Sequence, residues 1–319
     1  MTLLRKRVVV AIGGNALIKD QEHLEIYDQL KTAQETAGHI ADFIALGYDL
    51  VLTHGNGPQV GFILRRSELA FESGELHFVP LINCVADTQG AIGYQLQESL
   101  YNALRRKGIR KTAATLVTMV EVDPADPAFT APSKPIGVFY SEEQVAGLRA
   151  KHPDWTLVYQ DGKGYRRVVP SPLPQRVVEI EAISDLLAAG CCVIASGGGG
   201  IPVTVDSQGD LVGVNAVIDK DLSSALLANQ LAADMLIILT AVDHVYLDFN
   251  RPEQRPINFM TVAQAGQYLE QGHFATGSMG PKIRAAIDFL SRGGRRAIIT
   301  SAANLVGAVL ENQGTHIVR

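Results

Sequence analysis

Three short apolar runs in this chain each end in a glycine-rich loop, and this pattern constrains the fold more than any other feature. The runs are VVVAIGGNALI (8–18), DLVLTHGNG (49–57) and CCVIASGGGGIP (191–202). Apolar runs of this length are typical of strands buried on both faces of a sheet. Between the first two, apolar residues recur at helical spacing before a terminal glycine: Leu30, Ala33, Ala37, Ile40 and Ile44, then Gly47. Strand, helix, strand and glycine loop predict an α/β fold with a parallel sheet.

The alternation continues along the chain. A long helix is expected from about Asn83 to RRKG (105–108), where cations and glycine favour a C-terminus. The following segment, TAATLVTMV (112–120), is expected to form one strand. Nearer the C-terminus the predicted elements are a helix ending at Gly190, a hairpin after GGGGIP, a helix in AVIDKDLSSALLANQL (216–231), a strand in DMLIILT (234–240), two helices of which the second begins at TGSMGPK (276–282), and a strand in RRAIIT (295–300).

One segment, from Glu121 to about Pro174, differs in character from the rest. It opens with EVDPADPAFTAPSKPIG, which is rich in proline and acidic residues and lacks apolar periodicity. We interpret it as an inserted lid or subdomain.

Composition excludes several classes of protein. The chain has 319 residues, of which 47% are hydrophobic and 19% charged, as is typical of an α/β enzyme with two packed units or one unit and an insertion. A net charge of -5 offers no field suited to nucleic acid. No apolar window is long enough for a membrane span, and the run after Arg7 breaks at Gly13, which favours a strand over a targeting segment. We therefore expect a cytoplasmic protein that binds neither nucleic acid nor membrane.

Neither the cysteines nor the histidines form a recognisable metal motif. Cys84, Cys191 and Cys192 include no C-x-x-C pair, and the eight histidines include no H-E-x-x-H. We interpret the cysteines as small buried apolar residues and expect no resident metal.

Common nucleotide motifs are absent. No G-x-x-x-x-G-K-[ST] loop occurs, nor do the H-R-D and D-F-G signatures of protein kinases. The first strand is not followed by G-x-G-x-x-G, which argues against a dehydrogenase.

Lysine occurs at two predicted helix starts, where it opposes the helix dipole. Lys220 follows the candidate N-cap Asp219, and Lys282 follows Pro281. Free backbone N–H groups and an ammonium at the same helix end would together bind an anion, so each is a candidate phosphate clamp. Solvated surface lysine is the alternative for both. From the residues alone, Lys134, between Pro132 and Pro135, is better interpreted as a surface residue.

Taken together, several stretches resemble the carbamate kinases of the amino acid kinase family, nearly from end to end. They are AIGGNAL, THGNGPQVG, CVADTQGAIGYQL, VDPADPAF with KPIG, GYRRVVPSP, GGGGIPV, AVIDKDL, GSMGPK and the closing GTHI. The resemblance implies a three-layer α/β/α sandwich around a largely parallel sheet, with a protruding subdomain at about 121–174. It further implies an N-terminal carbamate-binding lobe (1–218), a C-terminal nucleotide-binding lobe (219–319), Mg²⁺ bound with ATP or ADP, and a homodimer.

The resemblance also implies roles for individual residues. Lys134, Lys220 and Lys282 match the catalytic lysines, and Asp221 matches the acid that orients them. Lys134 would replace the first-strand lysine that other family members carry about where Ala11 stands here. The residues expected to bind carbamate or phosphate are Gly13, Gly14, Asn15, Gly55, Asn56 and Gly57. The residues expected to bind the nucleotide are Thr240, Asp243, Tyr246, Met279 and Gly280, for which ordinary strand-end and turn positions are the alternative.

The expected activity is reversible phosphoryl transfer between ATP and carbamate. Three positions depart from the family pattern: Asp87 in CVADTQG, Lys163 in GKGY and Gly280 in SMGPK. Asp87 is expected near the carbamate side. The alternatives are a related phosphotransferase acting on a carboxylate, which Ala11 argues against, and a nucleotide-binding regulator with little turnover.

Overall fold

A computed structural model describes residues 6–13, 25–275 and 277–319. The strands within these residues are β1 (Arg7–Ile12), β2 (Asp49–His54), β3 (Ala113–Thr115), β4 (Met119–Val122), β5 (Lys134–Tyr140), β6 (Thr156–Gln160), β7 (Gly164–Val169), β8 (Pro174–Val177), β9 (Cys192–Ile194), β10 (Ile201–Val205), β11 (Leu211–Gly213), β12 (Met235–Leu239), β13 (Val245–Leu247), β14 (Arg255–Ile257), β15 (Phe259–Thr261), β16 (Arg296–Thr300) and β17 (Thr315–Val318). The helices are α1 (Ile26–Ala45), α2 (Gly57–Glu72), α3 (Leu81–Arg106), α4 (Glu142–Lys151), α5 (Ile180–Ala188), α6 (Lys220–Gln230), α7 (Val262–Glu270), α8 (Met279–Ser291) and α9 (Leu305–Leu310).

Of the strands in the described residues, eight form the main sheet, in the order β15-β17-β16-β12-β1-β2-β9-β3. Every neighbouring pair is parallel except β16 with β17. The apolar runs that end in glycine form the central strands, as the sequence predicts. Their carboxyl ends therefore meet at one edge of the sheet.

Alternate side chains of these strands form two separate cores. On β1, Val8, Val10 and Ile12 pack with α1, α3 and α9, whereas Val9 and Ala11 face α5, α6 and α8. Two helical layers thus cover one sheet, and the predicted three-layer α/β/α sandwich is confirmed.

The predicted single strand in 112–120 is wrong. Strand β3 stays in the main sheet, whereas β4 joins a second sheet of order β11-β10-β4-β8. At the bend, the Gln89 side chain accepts a hydrogen bond from the Thr118 N–H (2.8 Å) and donates one to its carbonyl (3.0 Å). A side chain thus replaces ladder pairing at Thr118, which lets the chain leave the sheet.

A small unit lies between β4 and β8. Strands β5, β7 and β6 form an antiparallel sheet, and Val145 of α4 packs with Trp155 and Leu157 in a small core beside it. We call residues 134–169 the β5–β7 unit. The predicted limits of the inserted subdomain and of the two lobes remain predictions.

Helix α2 was not expected from the sequence, because it begins in what looks like a glycine loop. Gly57 and Pro58 occupy its first turn, where proline is tolerated. Its buried face includes the polar Ser67 and Glu68 beside Val60 and Leu64, which weakens the apolar period. The elements β13–β15, α9 and β17 also lie outside the predicted set. Among the described residues, no helix has both the length and the hydropathy of a membrane span.

Candidate active site

A cavity of about 340 Å³ lies at the carboxyl edge of the main sheet. Loops that follow four neighbouring strands contribute to its lining: Gly13 after β1, Gly55 and Asn56 after β2, Gly198 after β9 and Thr240 after β12. Open parallel sheets bind ligands at this edge, so the cavity is the candidate active site.

Three helices begin at this cavity. Gly57 of α2, Lys220 of α6, and Ser278 at the start of α8 all line it. Free N–H groups and the positive ends of three helix dipoles therefore meet in one place, which suits a polyanion. The predicted N-cap Asp219 is confirmed, since its carboxylate accepts from the N–H groups of Asp221 (2.9 Å) and Leu222 (3.3 Å). Ser278 is the N-cap residue of α8, but its side chain makes no capping hydrogen bond.

One buried carboxylate connects two of the three lysines. Asp221 accepts from Lys220 Nζ at 2.6 Å on Oδ1 and from Lys282 Nζ at 2.9 Å on Oδ2. Its side chain is only 6% exposed. Burial alone would raise the pKa of Asp221, but the two ammonium groups hold it well below its usual range. Asp221 therefore stays ionised and fixes both lysines.

Burial also perturbs Lys220. Loss of solvation lowers its pKa to about 8; the charge of Asp221 opposes this shift, and the nearby Lys282 adds to it. Lys220 is thus cationic at neutral pH and close to its titration point in mildly alkaline solution.

The third lysine reaches the cavity from the β5–β7 unit. Lys134 Nζ donates to Asp219 Oδ2 at 2.7 Å, and its side chain is 32% exposed. Lys134 therefore lies at the cavity rather than on the open surface, contrary to the interpretation from its local sequence.

A second cavity of about 250 Å³ adjoins the first through Thr240, Ser278 and Lys282. Its remaining lining is mostly apolar and aromatic: Ala241, Val242, Tyr246, Phe249, His273, Phe274, Ala275 and Met279. A slot of this kind can enclose a planar ring whose charged substituents extend towards the lysines.

The four-glycine loop at 197–200 packs directly against the cavity walls. A Cβ on Gly198 would lie 2.4 Å from the Asn56 amide nitrogen, and one on Gly199 would lie 2.5 Å from the Ile218 carbonyl oxygen. Glycine is thus required by close approach, in backbone conformations with φ of +67° and +95°.

Most of the expected site residues converge on these cavities. The first cavity includes Lys134, Lys220, Asp221, Lys282, Gly13, Gly55, Asn56, Gly57 and Thr240, and the second includes Thr240, Tyr246 and Met279. Gly14 and Asn15 lie outside the described residues.

Two expected nucleotide-binding residues line neither cavity. Asp243 is exposed in the turn before β13, and Gly280 is buried with its N–H donating to the Ala275 carbonyl at 2.9 Å. Asp87 is exposed on α3 and also lines neither cavity, although its neighbour Thr88 accepts from the Asn56 amide at 3.3 Å.

His54 is a structural residue. It is buried, and its Nδ1 lies 3.0 Å from the Gly55 carbonyl oxygen. Burial lowers the pKa of His54 to about 4. The Gly55 carbonyl opposes this shift, and the charge of Lys220 adds to it. The imidazole is therefore neutral near pH 7.

Sequence reasoning missed part of the cavity wall. Asp219 was expected only as an N-cap, yet it also holds Lys134. The apolar residues Val60, Ile136 and Val217 line the cavity as well. Nothing in their local sequence distinguishes them from ordinary core residues. Among the described residues, no cluster of three or more His, Cys, Asp or Glu side chains could hold a metal ion.

Comparison with known proteins identifies the family. The carbamate kinase-like protein YahI of Escherichia coli is 49% identical over 316 residues, covering 99% of this chain and 100% of the relative. The carbamate kinase of Lentilactobacillus hilgardii is 45% identical, with 98% of each chain covered. The structure of carbamate kinase from Giardia lamblia bound to AMP-PNP superposes with a TM-score of 0.91 at 40% identity, covering 99% of each chain. Residues 6–301 match the sequence profile of the amino acid kinase family. The chain therefore belongs to the amino acid kinase family.

Proposed function

We propose that this protein is a carbamate kinase, which interconverts ATP and carbamate with ADP and carbamoyl phosphate. The observation that carries the proposal is the meeting of three lysines and three helix N-termini at one cavity. The names of the relatives support the same activity.

The two adjoining cavities suggest how the substrates lie. The base of the nucleotide would occupy the slot beside Tyr246 and Met279, and its phosphates would reach the shared boundary at Thr240 and Lys282. The acceptor would lie at the far end, beside Gly55 and Asn56. Gly14 and Asn15, which lie outside the described residues, are proposed to bind the acceptor as well.

This site does not need a general base. Carbamate already carries an anionic oxygen, so transfer depends on alignment and on neutralising the charge of the moving phosphoryl group. Lys220 and Lys282, held by Asp221, would face the nucleotide phosphates, and Lys134, held by Asp219, would contact the transferred group from the β5–β7 unit. Each ammonium stabilises the transition state most where water is excluded, because charges interact more strongly there.

Mg²⁺ would enter with the nucleotide. In phosphotransferases this ion is usually held by substrate phosphates, water and one or two carboxylates, so a cage of protein ligands is not required. Asp219 is a carboxylate at the cavity that fits this mode. The ion would supply further charge neutralisation to the phosphate oxygens.

The assembly and location of the protein follow from the same proposal. A homodimer is supported by the exposed face of α3, where Tyr94 and Tyr101 are 63% and 61% exposed. Apolar surface of this kind favours association. A cytoplasmic location fits an enzyme that uses ATP and ADP. Residues 1–218 and 219–319 would form the carbamate and nucleotide lobes.

The test is ATP formation from ADP, Mg²⁺ and carbamoyl phosphate, followed with a light-producing ATP reporter. Acetyl phosphate and acetylglutamyl phosphate serve as competing donors. We expect rapid ATP formation from carbamoyl phosphate alone; equal or faster use of another donor would contradict the proposal.

A second candidate is a related phosphotransferase with another carboxylate acceptor, or a regulator with little turnover. The observation in its favour is that the 49% identical relative is called carbamate kinase-like. A folded protein that binds ADP but makes no ATP from any of the three donors would support the regulator.

A further inference from the structure

Helix α2 connects the acceptor end of the cavity to the β5–β7 unit. Its first residue, Gly57, lines the cavity, and its later turns pack against β5. A Cβ on Gly61 would lie only 2.1 Å from the backbone nitrogen of Gly137, so the two backbones are in direct contact. Gly137 lies where the β5–β7 ladder shifts register, three residues after Lys134.

An ion pair fixes the same surface two turns along the helix. Glu68 of α2 accepts from Arg167 Nη1 at 2.8 Å, with side-chain exposures of only 7% and 18%. The Arg167 guanidinium carbon lies 4.2 Å from the centroid of the Trp155 ring. Stacking leaves the edge of the guanidinium free to bond the carboxylate. Arg65 approaches the same carboxylate at 3.4 Å.

The β5–β7 ladder connects Arg167 to the backbone of Lys134. Arg167 pairs with Ile136 and Val169 pairs with Lys134 across the β5–β7 ladder. Ile136 is buried and lines the cavity. A shift of β7 relative to α2 therefore moves the backbone of Lys134 relative to the acceptor loop.

Lys134 requires such support. The ladder of β5, β7 and β6 is not hydrogen-bonded to the main sheet, whereas α6 and α8 pack directly on that sheet, against β12 and its neighbours. The Lys134 side chain is long and flexible. Among the described residues, Asp219 alone holds its ammonium group.

We propose that Glu68 and Arg167 are positioning residues for Lys134, which set its distance from the acceptor by fixing the β5–β7 unit to α2. The proposal rests on the proposed function, since it assigns Lys134 a role in phosphoryl transfer. Neither residue touches the substrate.

The test compares Glu68→Gln with Glu72→Gln. Both acids lie on α2 and pair with the β5–β7 unit, but Glu72 pairs with Lys151 at the outer end of α4 (2.7 Å). We expect Glu68→Gln to lower kcat at least about tenfold with KM for ADP unchanged, because small misplacements of catalytic groups cost this much. We expect Glu72→Gln to stay within about twofold of wild type, because the contacts that it loses, to Lys151, Arg65 and His152, are all partly exposed.

A double-mutant cycle separates positioning from general damage. In a Lys134→Met background, Glu68→Gln should cause no further loss of kcat, because the group that it positions is gone. A full additional loss in that background, or equal effects of the two Gln variants, would overturn the proposal.

Hydrogen exchange gives a readout that does not depend on the reaction. Amides of 134–140 should exchange faster in Glu68→Gln than in wild type or Glu72→Gln, while those of 235–239 stay unchanged. Unchanged exchange in 134–140 would overturn this inference even if the wild type is active. A wild type that makes no ATP from carbamoyl phosphate would instead refute the proposed function. Hydrogen exchange would then still test whether Glu68 fixes the β5–β7 unit to α2.

Discussion

The lysines at the α6 and α8 helix starts are held differently from the lysine of the β5–β7 unit. Lys220 and Lys282 share Asp221, and their side chains are 11% and 12% exposed. Lys134 has a separate partner, Asp219, and is 32% exposed. The first pair is fixed by elements of the main body, whereas the third lysine depends on how a separate small sheet is placed.

This difference separates two requirements of phosphoryl transfer. A buried carboxylate between two lysines fixes both before any substrate binds, as the proposed phosphate site requires. A lysine on a separate unit, such as Lys134, can adjust its position to the acceptor. The packing of that unit against the main body must then set where the lysine lies.

The largest effect is expected from Asp221→Asn. The change leaves two buried ammonium groups close together without a counter-charge, which typically costs about 3–5 kcal/mol of stability. Turnover should fall by about 10³-fold, because Lys220 and Lys282, which are proposed to face the nucleotide phosphates, both lose their anchor. Urea unfolding and the ATP-forming assay measure the two effects.

Asp288→Asn is the matched control for Asp221→Asn. Asp288 pairs with Arg292 at 2.8 Å, but the side chains are 34% and 61% exposed. Such a pair contributes less than about 1 kcal/mol. Similar losses in the two variants would contradict a special role for the buried carboxylate.

Single lysine replacements should divide into two classes. Lys220→Ala, Lys282→Ala and Lys134→Ala should each lower turnover by about 10²–10³-fold. Only the first two should weaken ADP binding measured by calorimetry, because Lys134 is proposed to face the transferred group. A large loss of ADP affinity in Lys134→Ala would contradict this division of roles between Lys134 and the other two lysines.

The rate should depend on pH through Lys220. Its pKa is lowered to about 8, so the free enzyme loses this positive charge as the pH rises through that value. The expected profile of kcat/KM for ADP therefore falls about tenfold per pH unit above pH 8. In Lys220→Arg, which stays charged, this decline should disappear. A flat wild-type profile from pH 7 to 9.5 would contradict the assignment.

The smallest effect is expected from Asp87→Met. Because Asp87 is exposed on α3 and lines neither cavity, we expect kcat/KM for carbamoyl phosphate to change less than about twofold. The adjacent Thr88→Val should have a larger effect, because it removes the hydroxyl that accepts from Asn56. The reverse order would show that Asp87 contributes to acceptor choice.

Much of the main body could be predicted from the sequence. Apolar runs buried on both faces have few alternatives, and the strands from Val8, Leu50 and Met235 form where the pattern predicts. The error at 112–120 arose because the chain changes sheets without a proline or glycine, through side-chain bonds from the distant Gln89. Local pattern contains no information about such a partner.

The site was predictable only in part. Lysine at a helix start is locally unfavourable, and that signal identified Lys220 and Lys282. Lys134 has no comparable local signal, and its place at the cavity depends on the contact between α2 and β5. The partner role of Asp219 and the apolar wall at Val60 and Val217 depend on tertiary packing in the same way.

The pairing of β1 with β12 also has a consequence during synthesis. Arg7 and Asp234, which bond at the start of these strands, lie 227 residues apart. At about 5–20 residues per second, ribosomes need roughly 11–45 s to add that length. Throughout that interval β1 can pair with β2, but the backbone N–H and C=O groups of its other edge have no partner. The nascent chain is therefore exposed to aggregation for much longer than a protein whose central strands are close in sequence, and chaperone supply should limit its yield.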